Sequence, residues 1–466
     1  MKFKRLAAAA AALAMTASMT VPLNVSAENY KIEDQAQGGT WNFDKYLVLD
    51  KDAAVPNVTT KFSIAAGEAL PDPVNGVTCY AGIGTPVFSA DEAQEVTLEG
   101  DKAVVAFDSN DTTTPEKSAN TKTVIFKTTE DDTDEKFAAK TLTVSFAGIT
   151  FPEPGLYRYI ITEEAPTDGG ISIPAGHSTE YTLFVTIKDE NGKLVVANTE
   201  YVLQEGTAAP TIVDKDVLNE NNEVTGSTRV NANKKTGFTN WYTTHDLMFN
   251  KLVQGNQGSR DKYFKFTVKL TNPEGDGALT MTEARNNDRF IVKGTYDTNP
   301  ANNNATKAEY KAAAEGSEDS VMKVANRGEL QSMSLSGETV SYITYEQLAA
   351  GKDFYLHSGQ NIEIYGIPEG LGYEVSEVKE DYTAVVALHS AEGYDSDGAA
   401  SDENTKVTDA SLTNTARLTF TNTKGGTIPT GLITTVAASA AVLVIGAAGV
   451  AGGMIYLKKK KDNEEE

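Results

Sequence analysis

The chain of 466 residues has a single cysteine, Cys79, so it can form no internal disulfide. Secreted domains commonly rely on such staples. Here either the core suffices or another covalent device takes their place. Histidine is nearly as scarce, and His177, His245, His357 and His389 show no metal-ligand spacing. No metal site and no cofactor is implied. No phosphate-cradling glycine loop and no nucleophile elbow occurs. Basic residues are too few to balance the acids: 41 Lys and Arg face 65 Asp and Glu, a formal net charge of −24. An acidic surface argues against nucleic acid and anionic lipid as partners. Long apolar runs are missing everywhere except at the two ends.

Those ends carry compartment signals. Residues 1–27 read as a secretory signal peptide: Lys2, Lys4 and Arg5, an alanine-rich apolar run, then Val25, Ser26 and Ala27 as a small-residue cleavage site. At the other end an apolar run from Leu432 to Leu457 is long enough to span a bilayer. Lys458 to Lys461 follow and would hold that end in the cytoplasm. Ile428, Pro429, Thr430 and Gly431 stand just before the run and resemble a cell-wall sorting signal of Gram-positive surface proteins, with Ile for the usual Leu. That resemblance implies cleavage by a sortase between Thr430 and Gly431, with the Thr430 carbonyl passed to an amine. Removing the leader of charge +3 and the neutral tail from a net charge of −24 leaves −27 on the mature chain.

Between the ends, runs rich in Val, Thr, Tyr and Phe recur: KTLTVSF, LYRYIIT, YTLFVTI, KLVVANTEYVL, KYFKFTVKL, QNIEIYGI and ARLTFTN. Turn clusters of Gly, Asn, Asp and Pro separate them. The pattern predicts an all-β fold of tandem sandwiches. A helix is expected at 305–316 within an insertion, and a short helical turn in TYEQLAAG. The acidic loops EDDTDE and YDSDGAASDEN read as solvated, and the second fits no calcium-loop spacing.

Three local patterns occur twice in the same order. An alternating strand carries a lysine among apolar residues: Phe43, Lys45, Leu47, and later Phe249, Lys251, Val253. A strand after a Pro/Gly turn ends in glutamate, at Glu163 and again at Glu377. A final strand ends Phe-x-Asn, at Asn240 and again at Asn422. Alternate strand residues share a face, so each Lys, Glu and Asn falls on a face that otherwise reads as core. The repeat divides the chain into 28–243 and 244–424, followed by a sorting segment at 425–466.

A buried ammonium is costly, and burial lowers a lysine's pKa while raising a glutamate's. Set side by side, the two can exchange a proton and leave a neutral, nucleophilic amine. A protonated glutamate can then polarise the Asn side-chain carbonyl for attack. Loss of ammonia would leave a Lys–Asn isopeptide bond. The alternative is a buried salt bridge with Asn as its hydrogen-bond partner. Lys51 also falls in phase with Lys45.

The stretches FDKYLVLDKDAAVP, FPEPGLYRYIITEE, FTNWYTTHDLMFNKLVQG, IEIYGIPEGLGYEVSE and LTFTNTKGGTIPTG resemble the major backbone pilins of Gram-positive bacteria, the streptococcal type with two isopeptide-containing domains. The resemblance implies immunoglobulin-like (Cna-B-like) domains, each with a self-made Lys–Asn bond promoted by a Glu. Carried over by position, these are Lys45, Glu163 and Asn240, then Lys251, Glu377 and Asn422. It further implies a wall-linked pilus (fimbrium) on a Gram-positive surface. The implied partners are a pilus-class sortase, other copies of the chain, tip and base minor pilins, and peptidoglycan. It places the subunit-linking lysine before the last strand of the first domain, where Lys234 and Lys235 stand in RVNANKKTGFTN. Two other functions are weighed: a singly displayed adhesin for host protein or glycan, and a hydrolase. The hydrolase needs both glutamates in one cleft, whereas each lies in its own repeat. Cys79 in GVTCYAGIGTP invites a thioester reading, but no glutamine partner is placed and a plain thiol is expected.

Overall fold

A computed structural model of the chain describes residues 31–426, apart from 75, 115–123, 128–133, 219–223, 232, 273–280, 295–329, 336 and 390–404. The leader, the expected helix at 305–316, most of EDDTDE, the loop YDSDGAASDEN, and Ile428, Pro429, Thr430, Gly431 with the apolar run lie outside the described residues. Among the described residues no helix is long and apolar enough to cross a membrane.

The described residues are all-β, in two successive pairs of facing sheets. In the first pair one sheet runs in the order Lys234–Lys235, Lys193–Glu205, Glu180–Glu190, Gly155–Glu163, Val58–Ala66, Lys102–Phe107, Val96–Glu99. The facing sheet runs Ile171–Ser172, Gly237–Tyr242, Thr40–Asp50, Glu135–Ser145, Val87–Ser89. The second pair sets Asn361–Pro368, Thr244–Gln254 and Ala416–Thr423 in one sheet, and Lys352–Leu356, Phe264–Thr271, Gly372–Glu377 and Lys406–Asp409 in the other. All seven runs read from composition are strands. TYEQLAAG holds the helix Tyr345–Ala350, closed at its start by a capping box of Thr344 and Gln347.

Alternation puts Phe43, Leu47 and Leu49 inward from Thr40–Asp50, against Phe62, Tyr159 and Tyr181 from the facing sheet. Tyr46 and Val48 of the same strand are buried as well, because Val124, Phe137 and Trp241 cover the other face. The second core follows the same plan, with Leu247, Phe249 and Val253 against Phe264, Phe266 and Val375.

In each pair the last strand lies parallel to the first. Gly237–Tyr242 runs beside Thr40–Asp50 with Phe238 aligned to Lys45 and Asn240 to Leu47. Ala416–Thr423 runs beside Thr244–Gln254 with Phe420 aligned to Lys251 and Asn422 to Val253. The register is the same in both. Its tight start in the first pair needs a glycine: a Cβ on Gly237 would run into the Asp44 carbonyl oxygen.

The two pairs meet through a buried polar contact. Arg285 is wholly buried, pairs with Asp288 (2.8 Å), and donates from Nη1 to the Gly169 carbonyl (2.6 Å). Asp288 in turn accepts from the backbone N–H (2.7 Å) and Nδ2 (3.0 Å) of Asn57. Ala54 packs beside it against Ile291 and Tyr342.

Candidate cross-linking sites

The structure brings together the residues that the repeat singled out. In the first pair of sheets Lys45 and Asn240 come from neighbouring parallel strands of one sheet, and Glu163 reaches across from the other. Lys45 Nζ lies 2.7 Å from Glu163 Oε1, and Asn240 Nδ2 donates to the same oxygen at 2.6 Å. In the second pair Lys251 Nζ lies 2.6 Å from Glu377 Oε1, off the direction of a well-aligned hydrogen bond. Asn422 Nδ2 donates to that oxygen at 2.9 Å. Each glutamate sits opposite a phenylalanine in register, Glu163 opposite Phe62 and Glu377 opposite Phe266.

All six side chains are sealed from water: Lys45, Lys251 and Asn422 are 0% exposed, Asn240 1%, Glu163 3% and Glu377 6%. Aromatic rings form the walls. Lys45 Nζ is 5.9 Å from the centre of the Phe62 ring, and Lys251 Nζ is 4.6 Å from that of Phe264. Burial pushes the Lys45 amine below the usual lysine range, against the pull of Glu163. Lys251 is lowered by burial to about 8, with Glu377 opposing. Glu377 is raised by burial although Lys251 and Asn422 favour its charged form.

The hydrogen-bond sense differs from the expectation in one respect. A protonated glutamate was expected to donate to the Asn carbonyl. The structure places Nδ2 there, and the Oδ1 atoms of Asn240 and Asn422 are buried without a hydrogen-bond partner. The reason is that Oε1 of each glutamate serves as the acceptor, which an amide can meet only with its N–H. A protonated glutamate would be a donor instead, and a half-turn of the amide would then supply the orphaned Oδ1 as acceptor.

Lys51, in phase by sequence, is exposed and paired with Asp134 in the turn beyond the strand. Of the linking-lysine candidates, Lys234 is exposed and Lys235 is half-buried, 3.2 Å from Glu205. Cys79 is buried among Val74, Leu156, Phe184 and Val202, and burial raises its thiol pKa. Among the described residues no group of His, Cys, Asp and Glu could hold a metal ion. The Arg285 junction and the surroundings of Glu205 escaped the sequence reading. Glu205 ends a strand in phase with Leu203, which was the one available signal.

Each pair of facing sheets thus encloses one Lys, one Glu and one Asn. Residues 88–243 match the family described as Spy0128-like isopeptide containing domain. The resemblance to streptococcal-type major pilins is borne out by that match. Residues 245–424 match a family described only as a domain of unknown function. No curated protein matches the chain. Among solved structures, the major pilin from Streptococcus pyogenes is similar at 19% identity and a TM-score of 0.42, covering 84% of this chain and 100% of that one. The T-13 major pilin protein of the same species is similar at 19% identity and a TM-score of 0.40, covering 84% of this chain and 99% of that one. The family match assigns residues 88–243, and these likenesses add no weight to it.

Proposed function

We propose that this pilin-like chain is the structural shaft subunit of a covalently polymerised Gram-positive pilus, and that each sandwich closes itself with a Lys–Asn isopeptide bond. One observation carries the reading: two Lys-Glu-Asn sets, each sealed in a core, share one strand geometry.

The chemistry follows from the contacts. The ammonium of Lys45 or Lys251 passes one proton to the glutamate 2.7 Å or 2.6 Å away. The neutral amine attacks Cγ of Asn240 or Asn422. The C–Nδ2 bond breaks, and Nδ2 leaves as ammonia with the second proton of the amine, while the glutamate keeps the first. The fold supplies proximity, worth on the order of 10 kcal/mol in a well-oriented intramolecular reaction. The process is a single turnover, and the protein remains structural rather than enzymatic.

A pilus-class sortase would cut between Thr430 and Gly431 and join Thr430 to a lysine of the next copy. Minor pilins would occupy the tip and base, and peptidoglycan would hold the finished polymer. Wall extracts run under denaturing conditions test this reading. The expected result is a ladder of high-mass species reactive for this chain. A single wall-released band would overturn the shaft role.

A further inference from the structure

At the edge of the first sheet the two-residue strand Lys234–Lys235 pairs antiparallel with the end of Lys193–Glu205, Lys235 opposite Leu203 and Lys234 opposite Gln204. Glu205 lies two residues beyond Leu203, so it is a diagonal neighbour of Lys235 on the same face. Its carboxylate is held from two sides. Oε1 accepts from the Ser178 backbone N–H at 3.0 Å and lies 2.7 Å from His177 Nδ1. Oε2 is left facing Lys235 Nζ at 3.2 Å. The Glu205 side chain is 17% exposed and that of Lys235 20%, so the pair is partly shielded yet open to an incoming group.

The resemblance puts the acceptor amine at Lys234 or Lys235, and we infer that Glu205 is the positioning residue that selects Lys235 to receive the Thr430 acyl group of the next copy. The inference rests on the proposed polymerisation. An acceptor lysine must arrive in a fixed place and must lose its proton. The edge strand fixes the backbone, and Glu205, oriented by Ser178 and His177, fixes the end of the side chain. Burial alone would raise the Glu205 carboxyl. The Ser178 N–H, Lys235 and His177 outweigh that and hold it below the usual range, so it stands ionised and ready to accept. As Lys235 Nζ bonds to the Thr430 carbonyl carbon, the bond from that carbon to the sortase nucleophile breaks. The ammonium gives up two protons, one to Glu205 and one to the departing nucleophile.

The site also adjoins the first core. Tyr181 stacks on Phe238 with ring centres 4.0 Å apart, and Phe238 is aligned with Lys45. The acceptor stands five residues before Asn240. A subunit joined at Lys235 therefore pulls on a strand tied down by the first cross-link.

The test is tandem mass spectrometry of wall polymer from cells making the wild-type chain, Lys234→Arg, Lys235→Arg, Glu205→Gln or Glu205→Asp. Intact mass of each released monomer checks that both cross-links have formed. The expected result is a branched peptide joining Thr430 to Lys235, a ladder that survives Lys234→Arg and one that vanishes with Lys235→Arg. Glu205→Gln should cut polymer about tenfold or more, as loss of a proton acceptor does, and Glu205→Asp should restore part of it. A branch at Lys234 or any other lysine, or a normal ladder from Glu205→Gln, overturns this inference and leaves the shaft role standing. Absence of any Thr430–lysine branch overturns the shaft role itself.

Discussion

Lys45, Lys136, Lys140 and Lys251 are all buried, but their amines meet different neighbours. Lys140 lies between the carboxylates of Asp111 and Glu95, which hold it charged above the usual lysine range although burial opposes them. Burial lowers Lys136 to about 8, yet its Nζ donates to the backbone carbonyl of Lys51 (2.7 Å), which has no side-chain amide to expel. Only Lys45 and Lys251 combine a lowered pKa with a glutamate and an asparagine. After denaturation an amine-acylating reagent should therefore modify Lys136 and Lys140 and spare Lys45 and Lys251, as peptide mapping would reveal. Replacing the proton acceptor separates the two sites: Glu377→Gln should lose one ammonia rather than two by intact mass. That variant should also lose about 5 kcal/mol of cross-link stabilisation on the chain-entropy argument. The pH response follows from Lys251. In Asn422→Ala the amine stays free, with a folded pKa of about 8 against 10.5 unfolded. Between those values the unfolded chain binds the extra proton, so stability rises with pH across the window, by up to about 3 kcal/mol. Denaturant titrations of Asn422→Ala against the same variant carrying Lys251→Met should show that rise in the first alone.

At the scale of the strand, the proposed reaction depends on a parallel pairing between segments 195 residues apart in one sandwich and 171 in the other, counted from each Lys to its Asn. The alternation of Phe43, Lys45 and Leu47 made the inward lysines legible from sequence, and the Phe-x-Asn endings did the same for the asparagines. The register was not legible, because nothing local says that Asn240 lies across from Leu47. The paired strands Ile212–Leu218 and Val224–Asn231 were also missed. Asp214, Lys215 and Asp216 interrupt the apolar alternation there, and the two strands pair with each other in a sheet of their own. Gly237 gives the register a direct test. Gly237→Ala would force the last strand off Asp44, so the first cross-link should form slowly or not at all while the second forms normally. Intact mass followed over time after refolding would show one ammonia lost at once and the other delayed.

Over the whole molecule the proposed bonds would make the covalent path shorter than the chain. With the acceptor at Lys235 and the donor at Thr430, tension enters just before Asn240. It would pass through Thr244–Gln254 to Lys251, cross the proposed second bond to Asn422, and leave along the tail. The 170 residues between Lys251 and Asn422 are bypassed. The proposed first cross-link would anchor the entering strand to its neighbour. Between the sandwiches the load meets the junction of Arg285, Asp288, Asn57 and Gly169. Breaking a buried ion pair from one side strands the other charge at about 3–5 kcal/mol. Arg285→Met should therefore lower the unfolding midpoint and raise hydrogen exchange around Asn57 and Gly169, with both cross-links still present by mass. This junction could not be read from sequence, since Arg285 sits in a short polar 3-10 turn, Glu283–Asn287, that looks like any exposed loop.

The account turns on the two cores joining their own lysine and asparagine without help. Intact mass of purified residues 28–427, made without any sortase, is the most direct measurement of that claim. The predicted mass is two ammonia molecules below the sequence value, with branched peptides joining Lys45 to Asn240 and Lys251 to Asn422. The full sequence mass, with all four side chains free, would contradict it.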